Sequence, residues 1–387
     1  MGDPISLGHH NLLVVSGAGW PASRGDAIPL VPARESGKPA RMIVFDGHND
    51  VLTELVRAGG RAAAGGFLSG LPGQLDLPRA RAGGFGGGFF ALWARSEGAT
   101  DFSTLGPEYD LPLPEPVPEA QAWEMIRAQA DTLVALEEAG AVRICTSTAQ
   151  IARARDEGLL GAILHLEGAE GIGPDFYELE ELYALGLRSL GPVWSRPNAF
   201  GHGVPFRYPS GPDIGPGLTE RGRALIARCE ELRILIDLSH LNLAGFREVA
   251  ALSKRPLVAT HSNAHARVPH ARNLTDEQLR IMAESGGLAG VNFESTFLRP
   301  DGRPDDDIPA AWLLAQFDHL LDRLGEEGVA IGSDYDGCTP PAWLNSVDKL
   351  PALIAAMERH GYPAARIERI CWGNWMRVLA ETWGESA

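Results

Sequence analysis

Five apolar runs of this chain stop abruptly at histidine, aspartate or glutamate. They close as Phe45-Asp46-Gly47-His48-Asn49-Asp50, Leu164-His165-Leu166-Glu167-Gly168, Ile236-Asp237-Leu238-Ser239-His240, Val258-Ala259-Thr260-His261-Ser262 and Ile331-Gly332-Ser333-Asp334-Tyr335-Asp336. Imidazole and carboxylate are the ordinary ligands of zinc, bound at about 2.0–2.2 Å. His48 and Asp50 stand two apart on an extended chain, so their side chains leave one face and reach one ion. Glu167 is placed to bridge to a second ion carrying His240 and His261. Two ions about 3.5–4 Å apart hold a hydroxide between them and polarise a carbonyl. One carboxylate must stay off the metal to carry a proton from water to the leaving amine, and Asp334 is the candidate.

Each ending has a bland use. An H-x-D after a strand caps or forms a buried polar pair more often than it ligates. A strand-terminal Glu or His is structural as often as not, and Asp334 and Asp336 read as loop acids ahead of Gly337. Five such endings in one chain are what the bland use does not explain.

The elements that must gather these residues follow from the apolar periodicity. Strand candidates fall at 42–46, 87–94, 141–145, 160–166, 187–193, 233–238, 256–260, 287–293 and 328–333. Between them lie helical patterns. In 119–139, Trp123, Ile126, Ala130, Leu133 and Leu136 recur at three- and four-residue steps. A helix over 219–231 opens at Thr219, and one over 274–285 carries Thr275 three residues ahead of Gln278, a capping box. Strands alternating with helices predict an α/β fold, a (β/α)8 TIM-type barrel with one candidate left at the rim or false; a doubly wound open sheet is the alternative. In a parallel barrel every C-terminal strand end meets on one face, where three histidines and three carboxylates then share a cup.

Residues 1–41, rich in Gly, Pro and Ser, read as an irregular N-terminal arm, and 42–387 as a single catalytic barrel domain. Two rim loops are expected: 101–118 with five prolines, and 201–217 with five glycines and four prolines. Loops this long usually cover a site. The net charge of −16, from 50 acids against 34 bases, repels phosphate backbones and excludes nucleic acid as a partner. Four scattered cysteines with no C-x-x-C spacing are expected as free thiols. Leu12-Leu13-Val14-Val15 lacks the charged lead and length of a signal peptide, and no run reaches the ~18–20 apolar residues of a membrane span. The expectation is a cytoplasmic protein without a membrane partner.

Other signals point nowhere. Gly86-x-Gly88-x-x-Ala91 matches a dinucleotide fingerprint but lies inside an apolar run, which suits a strand with close backbone approach. Gly191-Pro192-Val193-Trp194-Ser195 lacks the second glycine of a nucleophile elbow. His9-His10, His202, His270 and His319 are expected as non-ligands, with His319 packing beside Phe317 and Leu320.

In order, the motifs from Met42 to Thr382 resemble those of the membrane (renal) dipeptidase family of zinc peptidases. Besides the five endings they include Gln74-Leu75-Asp76-Leu77-Pro78, Arg272-Asn273-Leu274-Thr275-Asp276 and Gly290-Val291-Asn292-Phe293. The resemblance implies a binuclear site with two Zn2+ per subunit. His48 and Asp50 would hold one ion and His240 and His261 the other, with Glu167 bridging. It makes Asp334 the proton shuttle and Arg272 the clamp on a dipeptide's terminal carboxylate, a task that suits a planar fork. It implies hydrolysis of L-Xaa-L/D-Xaa dipeptides and a homodimer. Animal members carry a substrate-binding histidine after the strand ending near Val193. Here Trp194-Ser195-Arg196-Pro197-Asn198 stands instead, closer to bacterial members. Trp194, with its single donor, and Asn198 are therefore expected at the substrate, with His202 as another source of the missing donor. The alternative reading is an amidohydrolase-like metal hydrolase acting on another small amide or a lactone, such as an N-acyl amino acid. A third is a binding protein that keeps the barrel and a structural metal.

Overall fold

Apolar runs and amphipathic segments resolve into parallel strands, most of them followed by a helix. The computed structural model describes residues 42–96 and 105–385, so the expected arm over 1–41 lies outside the described residues, as does 97–104 of the first rim loop. The strands are β1 Val44–Asn49, β2 Phe85–Trp93, β3 Val142–Ile144, β4 Leu160–Glu167, β5 Leu187–Gly191, β6 Leu235–Ile236, β7 Val258–Ala259, β8 Leu288–Val291 and β9 Val329–Ile331. One arc runs β1-β2-β4-β5-β6 and a second β7-β8-β9, all parallel. Single parallel bridges, Asp237 to Val258 and Asn49 to Tyr335, join the arcs and close an eight-strand ring, the expected barrel. β3 pairs only with β4, off the ring, and is the surplus ninth candidate.

Where the ladder thins to one bridge, a buried aspartate stitches the seam. Asp46 accepts from the Ser333 amide at 2.7 Å and its hydroxyl at 2.6 Å. Asp237 accepts from the Thr260 amide at 2.8 Å and its hydroxyl at 2.6 Å, and from the Ser239 amide at 3.0 Å. These two strand-end acids are structural, because their oxygens are committed to holding neighbouring strands.

Inward residues Phe45, Phe89, Ile163, Leu235, Val258, Leu288 and Ala330 form an apolar layer with Trp375. Trp375 belongs to the last helix, Asn374–Trp383, and its indole donates to the Ile331 carbonyl at 3.0 Å. Further toward the C-terminal strand ends the interior turns polar.

Two of the helices begin at the caps expected of them, Thr219 and Thr275. In α1 Val51–Arg57 and α2 Glu119–Glu138, the apolar faces are buried; Ile126, Ala130, Leu133 and Leu136 line that of α2. α3 Glu220–Leu232 is capped by Thr219, which accepts from the Gly222 amide, and α4 Asp276–Glu284 by the Thr275–Gln278 box. Each such cap stabilises by about 1 kcal/mol. The glycine run in β2 is a strand in close contact: Gly87 has φ +137°, and a Cβ there would lie 2.1 Å from the Gly161 carbonyl.

The rim loops meet. Tyr109–Asp110 pairs antiparallel with Arg207–Tyr208, and the Leu111 amide donates to the Phe206 carbonyl at 3.0 Å. All four cysteines are free thiols. Among the described residues no helix is long and apolar enough to cross a membrane.

Candidate metal centre

The strand-end residues converge. Glu167, the last residue of β4, presents its two oxygens to two different pairs of side chains. Oε1 lies 2.9 Å from His240 Nε2 and 3.4 Å from His261 Nε2, and those two nitrogens are 3.0 Å apart. Oε2 lies 3.6 Å from His48 Nε2, which is 3.4 Å from Asp50 Oδ2. Around a tetrahedral ion with bonds of ~2.0–2.1 Å, neighbouring ligand atoms stand ~3.3–3.4 Å apart, so both groups have the spacing of a coordination polyhedron.

Two further features fit a cation. His48 is fully buried, yet among the described residues neither ring nitrogen has a hydrogen-bond partner. Burial opposes a charge on it, but Glu167 and Asp50 outweigh burial and hold its pKa well above the ordinary value. Conversely, burial raises the Glu167 pKa, but His48, His240 and His261 overcome that and keep it ionised. The outer nitrogens are anchored: His240 Nδ1 is 2.8 Å from Ser195 Oγ, and His261 Nδ1 is 2.8 Å from Thr260 Oγ1. Hydrogen bonds of this kind orient metal-binding histidines. The residues present therefore fit a pair of divalent ions.

Asp334 is beside this cluster, within reach of a group formed with His48 and His261. Its Oδ2 accepts from Asn292 Nδ2 at 2.9 Å. Burial raises its pKa, and the charges of Asp50 and Glu167 add to the rise, so it stands well above the ordinary carboxylate value despite His48. The local backbone is strained: His240, Asp334 and Asp336 have φ of 68°, 63° and 67°. Each such residue costs about 1–3 kcal/mol and persists where the surroundings hold it, typically at functional sites. Gly337 completes the turn, since a Cβ there would lie 2.1 Å from Asp50 Oδ2 and 2.6 Å from Asp334 Oδ1.

Arg272 reaches the cavity from beyond β7. It is buried, with contacts to the His261 carbonyl at 3.2 Å and Ser262 Oγ at 3.4 Å, and its Nε has no partner among the described residues. Burial lowers its pKa to about 10, which leaves it a cation at neutral pH. Its guanidinium lies 5.4 Å from the centre of the Phe297 ring.

Asp50, Glu167, His240, Arg272 and Asp334 open into one cavity of about 420 Å³, with Trp93, Trp194 and Phe206 as an aromatic wall and Leu111 and Pro205 from the two rim loops. The Trp194 ring lies 5.7 Å from that of His240. Asn198 is not in the lining, which corrects its expected contact with substrate. Its Nδ2 donates to the Pro192 carbonyl at 2.8 Å, and its Oδ1 accepts from the Phe200 and Gly201 amides. The side chain is committed to its own loop, a frequent fate of asparagine in turns. His319, expected to pack beside Phe317 and Leu320, is also held to Asp276 at 2.7 Å.

Sequence reasoning gave no role to His165, and His270, expected as a non-ligand, lies outside the groups that could hold an ion. His165 is buried beneath the site, bonded to Ser189 Oγ at 2.9 Å, and burial pushes its pKa down to about 4. His270 Nδ1 accepts from the Arg272 amide at 3.0 Å, and the Phe297 ring lies 4.7 Å away. The alternation of β4 could have exposed the first, since His165 and Glu167 share a face.

The model of the membrane dipeptidase family, peptidase family M19, matches residues 38–385. A metallo peptidase from Rhodobacter sphaeroides, solved with a phosphinate mimic of the dipeptide L-Ala-D-Ala, is 48% identical with a TM-score of 0.85, over 88% of this chain and 99% of that one. The M19 metallo peptidase known as dipeptidase AC is 47% identical with a TM-score of 0.84, over 89% and 99%. A Klebsiella pneumoniae protein of the pqqA 5' region, itself described as uncharacterized, is 46% identical over 245 residues, 63% of this chain and 90% of that one. The chain belongs to the membrane dipeptidase family, peptidase family M19, and is a metallo-dipeptidase.

Proposed function

We propose that this enzyme hydrolyses L-Xaa-L/D-Xaa dipeptides with two zinc ions, one held by His48 and Asp50, the other by His240 and His261, and both by Glu167. The observation that carries the reading is the division of the Glu167 carboxylate between two ligand groups, Oε1 toward His240 and His261 and Oε2 toward His48. When bound, the ions supply Lewis acidity, polarising the scissile carbonyl and making water nucleophilic near neutral pH.

The chain's own residues do the rest. Arg272 pairs with the terminal carboxylate of the substrate and so fixes the scissile bond relative to Asp334. Asp334 Oδ2 is occupied by Asn292, which leaves Oδ1 to take a proton from the attacking water. The same oxygen returns that proton to the leaving nitrogen as the C–N bond breaks, giving two free amino acids. Trp194 walls the cavity beside His240, where its lone N–H can meet substrate. The mimic held by the Rhodobacter sphaeroides relative supports a D residue on the C-terminal side. The family likeness extends the reading to a homodimer, which light scattering tests.

Chelated protein should lose hydrolysis of L-Ala-L-Ala and L-Ala-D-Ala and regain it as two equivalents of zinc are restored. Asp334→Asn should keep both ions but lose about 10²–10⁴-fold in kcat. Full activity without metal would overturn the reading.

A further inference from the structure

Trp93 and Arg95 stand two residues apart at the end of β2, and both line the cavity. In the eight-strand ring β2 lies four strands from β7, the strand beyond which Arg272 is reached, so these residues and Arg272 occupy opposite sides of the mouth. Trp93 is in register with Glu167 across the β2–β4 ladder, which puts its ring beside the metal cluster. Its indole Nε1 is buried and has no hydrogen-bond partner among the described residues. A buried donor left without an acceptor in a cavity wall is a place for a ligand atom. Arg95 is exposed at the rim, and among the described residues it has no hydrogen bond or ion pair.

The rim's other charges are engaged. Arg57 pairs with Glu54, Asp336 Oδ1 accepts from the Gln74 amide, and Glu294 accepts from the Thr296 and Thr339 amides. The backbone around Arg95 is also built rather than loose. The buried guanidinium of Arg196 donates to the Ala94 carbonyl on one side and to Ser96 Oγ, at 2.8 Å, on the other, and is itself held by Glu170 at 2.9 Å.

We propose that Trp93 and Arg95 form the subsite for the N-terminal residue of the dipeptide and select an acidic side chain there, glutamate or aspartate. This rests on the assignment of Arg272 to the terminal carboxylate, since a dipeptide anchored at Arg272 lays its N-terminal residue toward β2. The indole N–H donates to a side-chain oxygen, and the guanidinium supplies the charge.

The test compares kcat/KM for L-Glu-L-Ala, L-Gln-L-Ala and L-Lys-L-Ala, with L-Ala-L-Ala as reference. Glu should exceed Gln by about two- to fivefold, the range for a partly exposed charge pair, and Lys should be poorest. Arg95→Ala, at an exposed position that leaves folding intact, should bring the Glu-to-Gln ratio toward one, and Arg95→Lys should retain part of it. Trp93→Phe should lower both Glu and Gln substrates through KM. A wild-type ratio of one, or a ratio unmoved by Arg95→Ala, overturns this inference while L-Ala-L-Ala turnover leaves the dipeptidase reading standing. Absence of turnover on every dipeptide defeats both.

Discussion

Thr260 holds His261 in a single tautomer. The Thr260 hydroxyl has one proton, which it gives to Asp237 Oδ2 at 2.6 Å. The same oxygen lies 2.8 Å from His261 Nδ1, so it accepts the Nδ1–H. Nε2 is left with its lone pair, aimed at the point where Glu167 Oε1 and His240 Nε2 meet.

Asp237→Asn reverses that relay. The asparagine carbonyl keeps the Ser239 and Thr260 amides, and its NH2 faces the Thr260 hydroxyl, which must then donate to His261 Nδ1. The proton moves to Nε2, where a metal must displace it. Metal affinity should fall about 10–100-fold, read by chelator competition.

Arg272→Ala removes a buried cation that the reading gives to the substrate carboxylate. Loss of a charge-assisted pair of hydrogen bonds should lower kcat/KM on dipeptides by about 30–1000-fold. Dipeptide amides, which lack that carboxylate, should be poor substrates of the wild type and be affected far less by the substitution. Equal losses on both substrates would count against the clamp.

His165 makes the metal-free protein sensitive to acid. Burial holds its pKa at about 4, below the ordinary 6.5, so the unfolded chain binds its proton first. The stabilising contribution is complete above pH 6.5 and is lost as pH falls toward 4. Between pH 6.5 and 5 this amounts to about 2 kcal/mol. The raised pKa of Asp46, about 7 because of burial, acts with the opposite sign, so the comparison must be between proteins. In denaturant titrations, His165→Asn should lose about 2 kcal/mol less than wild type over that interval.

Asn198→Ala tests the corrected position. Its three loop hydrogen bonds predict a stability loss of about 1–2 kcal/mol, while kcat on L-Ala-L-Ala should stay within about twofold. A large fall in kcat at unchanged stability would return Asn198 to the substrate.

The strand order and the candidate ligands were legible because each conflicts with a local rule: an ionisable residue ending an apolar run demands a reason. The caps at Thr219 and Thr275 were legible because a capping side chain acts within three residues. What stayed hidden depends on contacts distant in sequence. Asp46 and Asp237 share the pattern of Asp50, yet their partners, Ser333 and Thr260, lie on other strands. Asn198 was drawn toward the substrate because it follows Trp194 closely, but the turn it closes spends its polar atoms. Trp93 carried no polar signal at all within an apolar strand, and only the register with Glu167 sets it at the mouth.

The two seams have a mechanical meaning. One arc of the barrel contributes His48, Asp50, Glu167 and His240, while His261 and Asp334 come from the other. An ion gripped by His240 and His261 therefore clasps the molecule across the Asp237 seam, just where backbone pairing is thinnest. A metal held there would be a fastener as well as a reagent, and stripping it should loosen the cylinder along a defined line rather than soften it throughout.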